Sequence, residues 1–180
     1  MKSFIVATLL LALIGFAAPP TVPSPANPNF IRPPNKLPDD AVEALKSGVK
    51  FVIFSLEPLL PSGEEERLKP EQKHHGFKIL GSTELVNAVN KDSAIASIIE
   101  GVKKHTTEGS GCFLPRHSLR VTDSSGKIYD FVTCFQCTKI EVFVGEKTIG
   151  GAGIVGSQKP LDDILTAAKI PLAKPMKDEK

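Results

Sequence analysis

Alternation of apolar and polar residues is clearest from Phe77 to Val86, where Phe77, Ile79, Thr83 and Leu85 interleave with Lys78, Ser82 and Glu84. A period of two predicts a strand with one dry and one wet face. Upstream, residues 48 to 57 are rich in β-branched and aromatic side chains and stop at Pro58, which suits a mostly buried strand. Between the two, residues 61 to 76 carry Pro61, Gly63, Glu64 to Glu66, Pro70 and Gly76 and read as a polar loop with a solvated charge run. His74 and His75 close that loop. Adjacent histidines can seed a metal site, but in an exposed loop the simpler reading is two solvated rings.

The period then changes. Ile95, Ile98, Ile99 and Val102 lie at i, i+3, i+4 and i+7, which predicts a helix from about Lys91 to Lys104 with one apolar stripe that must pack on a sheet. Asn90 is placed to cap its start, Asp92 complements the positive end, and Lys103 and Lys104 complement the negative end. Residues 116 to 122 and 127 to 133 flank Asp123-Ser124-Ser125-Gly126, turn chemistry that joins two antiparallel strands. The second of these strands is expected to run on through Cys134-Phe135-Gln136-Cys137 to Val144, to turn at Gly145-Glu146-Lys147 and to pair with a short strand near Thr148. A last helix from Pro160 carries Leu161, Ile164, Leu165 and Ala168 and stops before Pro171. These elements predict an α+β fold: an antiparallel sheet of four to five strands with two helices packed on one face.

The ends of the chain read differently. Residues 1 to 17 place Lys2 before the 13-residue apolar run Phe4 to Phe16 and small residues around its end, the order of a secretory signal peptide cut after Ala17. A membrane-spanning helix needs roughly 20 apolar residues, so no stable transmembrane anchor is expected. Eight of the 15 prolines lie between Pro19 and Pro38, which predicts a disordered, polyproline-like linker over 18–39. A single domain over 40–172 and a frayed tail over 173–180 complete the organisation. About 130 residues can bury an adequate core, so size alone demands neither metal nor disulfide.

Composition adds exclusions. The 180 residues are 41% hydrophobic and 23% charged, which fits an ordinary globular domain. A net charge of +2, one less without Lys2, leaves no basic excess for a phosphate backbone, so nucleic acid is not an expected partner. Phe 10, Tyr 1 and Trp 0 give no aromatic platform for sugars or bases.

Cys112, Cys134 and Cys137 are the three cysteines, an odd number that in an oxidising compartment leaves one thiol unpaired within the chain, bound to something, or shared with another molecule. A regular strand would set Cα 134 and Cα 137 about 10 Å apart with side chains on opposite faces. A disulfide wants roughly 4.4 to 6.8 Å. Either the chain bulges or turns at Phe135-Gln136, or Cys112 bridges to one of the pair. His117 shares the apolar side of its strand with Leu119 and Val121, where an imidazole needs a hydrogen-bond partner or a metal. Cys112, His117, Cys134 and Cys137 together could supply three sulfurs and one nitrogen to a tetrahedral zinc. The competing readings are a structural disulfide with a spare thiol, three buried idle cysteines, and thiol redox chemistry. The last lacks the helix start that activates a Cys-x-x-Cys pair.

Two other patterns carry less. Gly151-Ala152-Gly153-Ile154-Val155-Gly156 matches Gly-x-Gly-x-x-Gly, but the chain ends before a second parallel strand and an acidic residue about 20 positions on, so the glycines read as a flexible connection. Arg116 and Arg120 share a strand face and could clamp an anion, though a wet sheet face is the plainer reading.

Cys112-Phe113-Leu114-Pro115-Arg116-His117 with Leu119-Arg120, then Tyr129-Asp130-Phe131 leading into Cys134-Phe135-Gln136-Cys137, resembles a family of exported bacterial proteins with a Cys-Phe-x-Pro-Arg-His and Cys-Phe-x-Cys signature and no assigned activity. Ser55-Leu56-Glu57-Pro58 and His75 to Gly81 share in the resemblance, which covers about 50–145; Ser118 departs from a glycine in that pattern. It implies bacterial export and a shared domain. The resulting expectation is a periplasmic or extracellular, non-catalytic binding or structural module, stabilised by its cysteine cluster, with a protein or envelope partner. A zinc-binding or thiol-redox protein using Cys112, His117, Cys134 and Cys137 is the alternative.

Overall fold

The computed structural model describes residues 36–106 and 111–174. The expected signal peptide, all but the end of the proline-rich linker, residues 107–110 and residues 175–180 of the tail lie outside the described residues. No helix among the described residues is long and apolar enough to cross a membrane.

Seven strands form one antiparallel sheet: β1 (Lys50–Glu57), β2 (Lys73–His74), β3 (Phe77–Glu84), β4 (His117–Thr122), β5 (Ile128–Cys134), β6 (Lys139–Val144) and β7 (Lys147–Gly153). Their order across the sheet is β2-β3-β1-β4-β5-β6-β7. Three helices accompany them, α1 (Asp39–Ser47), α2 (Ala88–Lys104) and α3 (Lys159–Ala167). The fold is α+β as the alternation implied, with seven strands and three helices where four to five and two were expected.

The additional elements are short. Helix α1 follows Pro38 directly, within what reads as the end of a linker. Asp39 and Asp40 favour its start and Lys46 its end. It buries Ala41, Ala44 and Leu45, and Leu37 before it is also buried, so the packed body begins ahead of residue 40. Strand β2 is two residues long and carries no periodicity to detect. Helix α2 starts before the apolar stripe does, with the Asn87 side chain, not Asn90, accepting from Val89 N at 2.8 Å. Val89 is exposed, so the stripe could not mark this first turn.

The long strand expected through Cys134 to Val144 is instead two strands. Phe135–Thr138 turn, with Thr138 N donating to the Phe135 carbonyl at 3.2 Å and Thr138 at φ 51°. Cys134 pairs with Lys139 and Thr133 with Ile140 across this turn. Positions facing the main core are therefore odd in β5 (Tyr129, Phe131) and even in β6 (Ile140, Val142), a phase change produced by a hairpin rather than a bulge.

Cross-strand register sorts side chains onto two faces. The first joins Phe51, Ile53, Leu119, Val121, Phe131, Ile140 and Val142 to Leu45, Ile98, Leu161 and Leu165 of the helices, one continuous core. On the second lie Phe54, Leu56 and Val132, with Phe77, Ile79 and Phe143 packed against them. That face is not wet. The sheet curls until His74 of the edge strand β2 reaches Ser118 on β4, 44 residues away in sequence.

Two flexible readings are corrected. Gly150 to Gly153 lie in β7, where a Cβ at Gly151 would stand 2.5 Å from the Ile140 carbonyl oxygen and one at Gly153 2.0 Å from the His105 ring. Those glycines permit close approach and are not a loose connection. The start of the expected frayed tail is tied down, since Ala173 is buried and the Lys174 carbonyl accepts from Arg116 Nη2 at 2.9 Å.

Candidate functional site

Cys134 ends β5 and Cys137 sits in the following turn, both buried, while Cys112 is exposed. The turn answers the spacing problem, because it bends the chain enough for Cys137 N to donate to Cys134 Sγ at 3.1 Å. Leu114 N donates to Cys137 Sγ at 3.3 Å. Burial, followed by hydrogen bonds with the Cys112 and Cys134 thiols, pushes the Cys137 thiol up to about 12 against the opposing pull of Leu114 N–H. None of the three cysteines is in a disulfide, and the Cys112 and Cys134 thiols are hydrogen-bond neighbours of Cys137.

His117 does not join them. It pairs in register with Ser55 on one side and Thr133 on the other, on the helix-covered face. There its Nε2 lies 2.8 Å from Asp162 Oδ1 at the start of α3. A carboxylate only accepts, so Nε2 carries the proton. The four residues Cys112, His117, Cys134 and Cys137 are thus divided between a thiol cluster and a separate imidazole–carboxylate pair.

A second constellation went unread in the sequence. Among the described residues, the group of His, Cys, Asp or Glu whose donor atoms lie within 4.8 Å of one another is His74, His75 and Asp130. Far from being solvated, the two imidazoles have side chains only 4% exposed and that of Asp130 is 3%. His75 Nε2 is 2.8 Å from Asp130 Oδ2, and Arg120 grips the same carboxylate through Nε at 2.7 Å and Nη2 at 2.9 Å. His74 Nε2 meets Ser118 Oγ at 2.8 Å. The rings form a series: Phe54 stacks on His74 at 4.5 Å, His74 meets His75 edge-on, and His75 stacks on Phe143 at 4.0 Å.

Burial drives the His74 pKa down to about 4, overcoming the attraction of Asp130, with the charges of His75 and Arg120 adding to the fall. Burial alone would raise Asp130; hydrogen bonds from His75 and Arg120, with the His74 and Arg120 charges, outweigh it and hold the carboxyl at about 2. A cation here would have to displace a bidentate guanidinium and then sit beside its charge. The arrangement is a polar plug on the second face, with His75 Nδ1 left without a hydrogen-bond partner. It also answers the Arg116–Arg120 clamp, because Arg120 is bound to Asp130 while Arg116 reaches the Lys174 carbonyl instead. One signal was legible: Asp130 stands between Tyr129 and Phe131 in an apolar strand and needed a counter-charge.

The third feature is a cavity of about 390 Å³ beside the His117–Asp162 pair, lined by Ser55, Arg116, His117, Gln158, Asp162 and residues Leu172 to Lys174. Ser55 is fully buried and its hydroxyl has no hydrogen-bond partner. Ser55, His117 and Asp162 are the residue types of a nucleophilic relay, but the hydroxyl is not bonded to the imidazole that would have to activate it.

No family model matches the chain, and neither a curated protein nor a solved structure shows significant similarity to it.

Proposed function

We propose that the chain is an exported bacterial domain, periplasmic or extracellular, that works as a non-catalytic binding or structural module stabilised by its cysteine cluster. The observation that carries this reading is the state of Cys137, wholly buried and bonded to its neighbours, with its thiol held near 12. Such a group has almost no thiolate at neutral pH, and thiolate is the form that attacks disulfides and peroxides. The Cys-x-x-Cys turn therefore serves packing better than redox exchange. Export rests on the sequence pattern of residues 1 to 17 and on the resemblance to exported bacterial proteins. An unidentified protein or envelope component is the partner this reading expects.

A zinc site is the second reading, and one observation favours it: two backbone N–H groups point at sulfur, as they do where thiolates are held for a metal. In that reading His117 is not the nitrogen ligand, because among the described residues no set of donor atoms within 4.8 Å of one another joins it to the cysteines. The test is a thiol count and a metal count on the full chain purified without chelator. Expected are no stoichiometric zinc, rapid labelling confined to exposed Cys112 in the native protein, and slow labelling of Cys134 and Cys137 until unfolding. One zinc per chain, lost in Cys137→Ser, would overturn the structural reading in favour of the metal. Rapid labelling of Cys137 at neutral pH would overturn it in favour of redox chemistry.

A further inference from the structure

The polar row Ser55, His117 and Thr133 crosses β1, β4 and β5 on the face that otherwise holds the core. Thr133 is satisfied by the Phe131 carbonyl at 3.3 Å and His117 by Asp162. Ser55 is left with a buried, unpartnered hydroxyl in the wall of the cavity. An orphaned buried donor destabilises a fold, and alanine would fit the same strand position without that loss. The Ser55 hydroxyl has no partner among the described residues.

We propose that this cavity is a binding site for a small organic acid, held by its carboxylate. The inference rests on the binding reading above and names the ligand class. A volume of about 390 Å³ falls in the range of pockets for small molecules. Arg116 brings positive charge to the wall, and the Ser55 hydroxyl and Gln158 amide bring neutral donors. Asp162 also lines the cavity and brings negative charge, which favours a monoanion over a dianionic phosphate. Leu172 and Ala173 supply an apolar wall for a short hydrocarbon portion. The His117–Asp162 pair positions the imidazole, with its Nε2 proton spent on the carboxylate, so that the ring forms a fixed wall of the site.

The experiment is a titration of the full chain with sodium butyrate, read by NMR at the imidazole resonances of its four histidines, with inorganic phosphate as the competing probe. A tripeptide with a free or an amidated carboxyl terminus distinguishes a peptide end from a free acid as the source of the carboxylate. Expected is a saturable shift of His117, with His74, His75 and His105 unmoved, from butyrate and not from phosphate. Ser55→Ala should weaken butyrate binding about tenfold or more while raising the Tm of the ligand-free protein by roughly 3 °C. Gln158→Ala, whose side chain makes no capping bond to α3, gives a second folded variant with the same loss of affinity. The absence of a saturable shift, saturation by phosphate alone, or unchanged affinity in both variants would each overturn the inference and show the cavity to hold water only. None of those results touches the binding reading, which the thiol and zinc counts decide separately.

Discussion

His74 shows how one side chain can carry the acid sensitivity of the whole fold. Unfolded, its ring takes up a proton near the ordinary 6.5; folded, it resists down to about 4. The native state therefore binds fewer protons in that interval, so its contribution to stability is complete above pH 6.5 and falls away as pH drops from 6.5 to 4. The shift corresponds to about 3 kcal/mol. Denaturation by urea at a series of pH values should show this slope in the native sequence, and His74→Gln should flatten it. An unchanged slope in the variant would place the acid sensitivity elsewhere. Asp130 acts in a lower window, because its stabilisation is present above its usual 3.8 and is lost as pH falls toward 2.

At the scale of the element, β7 and the end of α2 are shaped for one another. His105 follows the helix and lays its ring where a Gly153 side chain would be. Gly153→Ala should destabilise by roughly 2 kcal/mol through overpacking, and His105→Ala in the same chain should recover most of that loss. Thermal unfolding of the single and double variants checks the coupling, and additivity would refute it. The β2–β3 turn is shaped by tertiary contact in the same way. His75 and Gly76 stand at φ 49° and 88°, a two-residue turn that Asn-Gly would fill with less strain. Histidine holds the position because its ring bonds Asp130 and stacks on Phe143.

Across the whole molecule one sheet serves two purposes. Helices cover one face and build the main core, while the other is closed by the sheet's own edge, pinned through Asp130. Asp130→Asn should leave Arg120 without its counter-charge and cost about 3 kcal/mol, the lower end for a broken buried pair because Arg120 is partly solvated. Amide exchange should then quicken at Lys73 and His74 while β4 to β6 stay protected; uniform loss of protection would mean that the plug does not pin the curl. What the amino-acid order determined by itself was whatever depends on neighbours in the chain: the existence of β3, the apolar stripe of α2, the Asp123–Gly126 hairpin and the α+β class. The expected alternation of β3 fails, because a register shift at Leu80 sends Phe77 and Ile79 to one face and Leu85 to the other. The amino-acid order also set the face on which His117 lies, because parity along a strand is local. Only the tertiary structure decided what meets those faces. Asp162 lies 45 residues from His117 and Asp130 lies 55 from His75. The curl that buries His74 depends on the twist summed over neighbouring strands, and no window of sequence contains it. Periodicity tells a side chain which way to point; the partner waiting there is chosen by the packing of layers that the pattern does not encode.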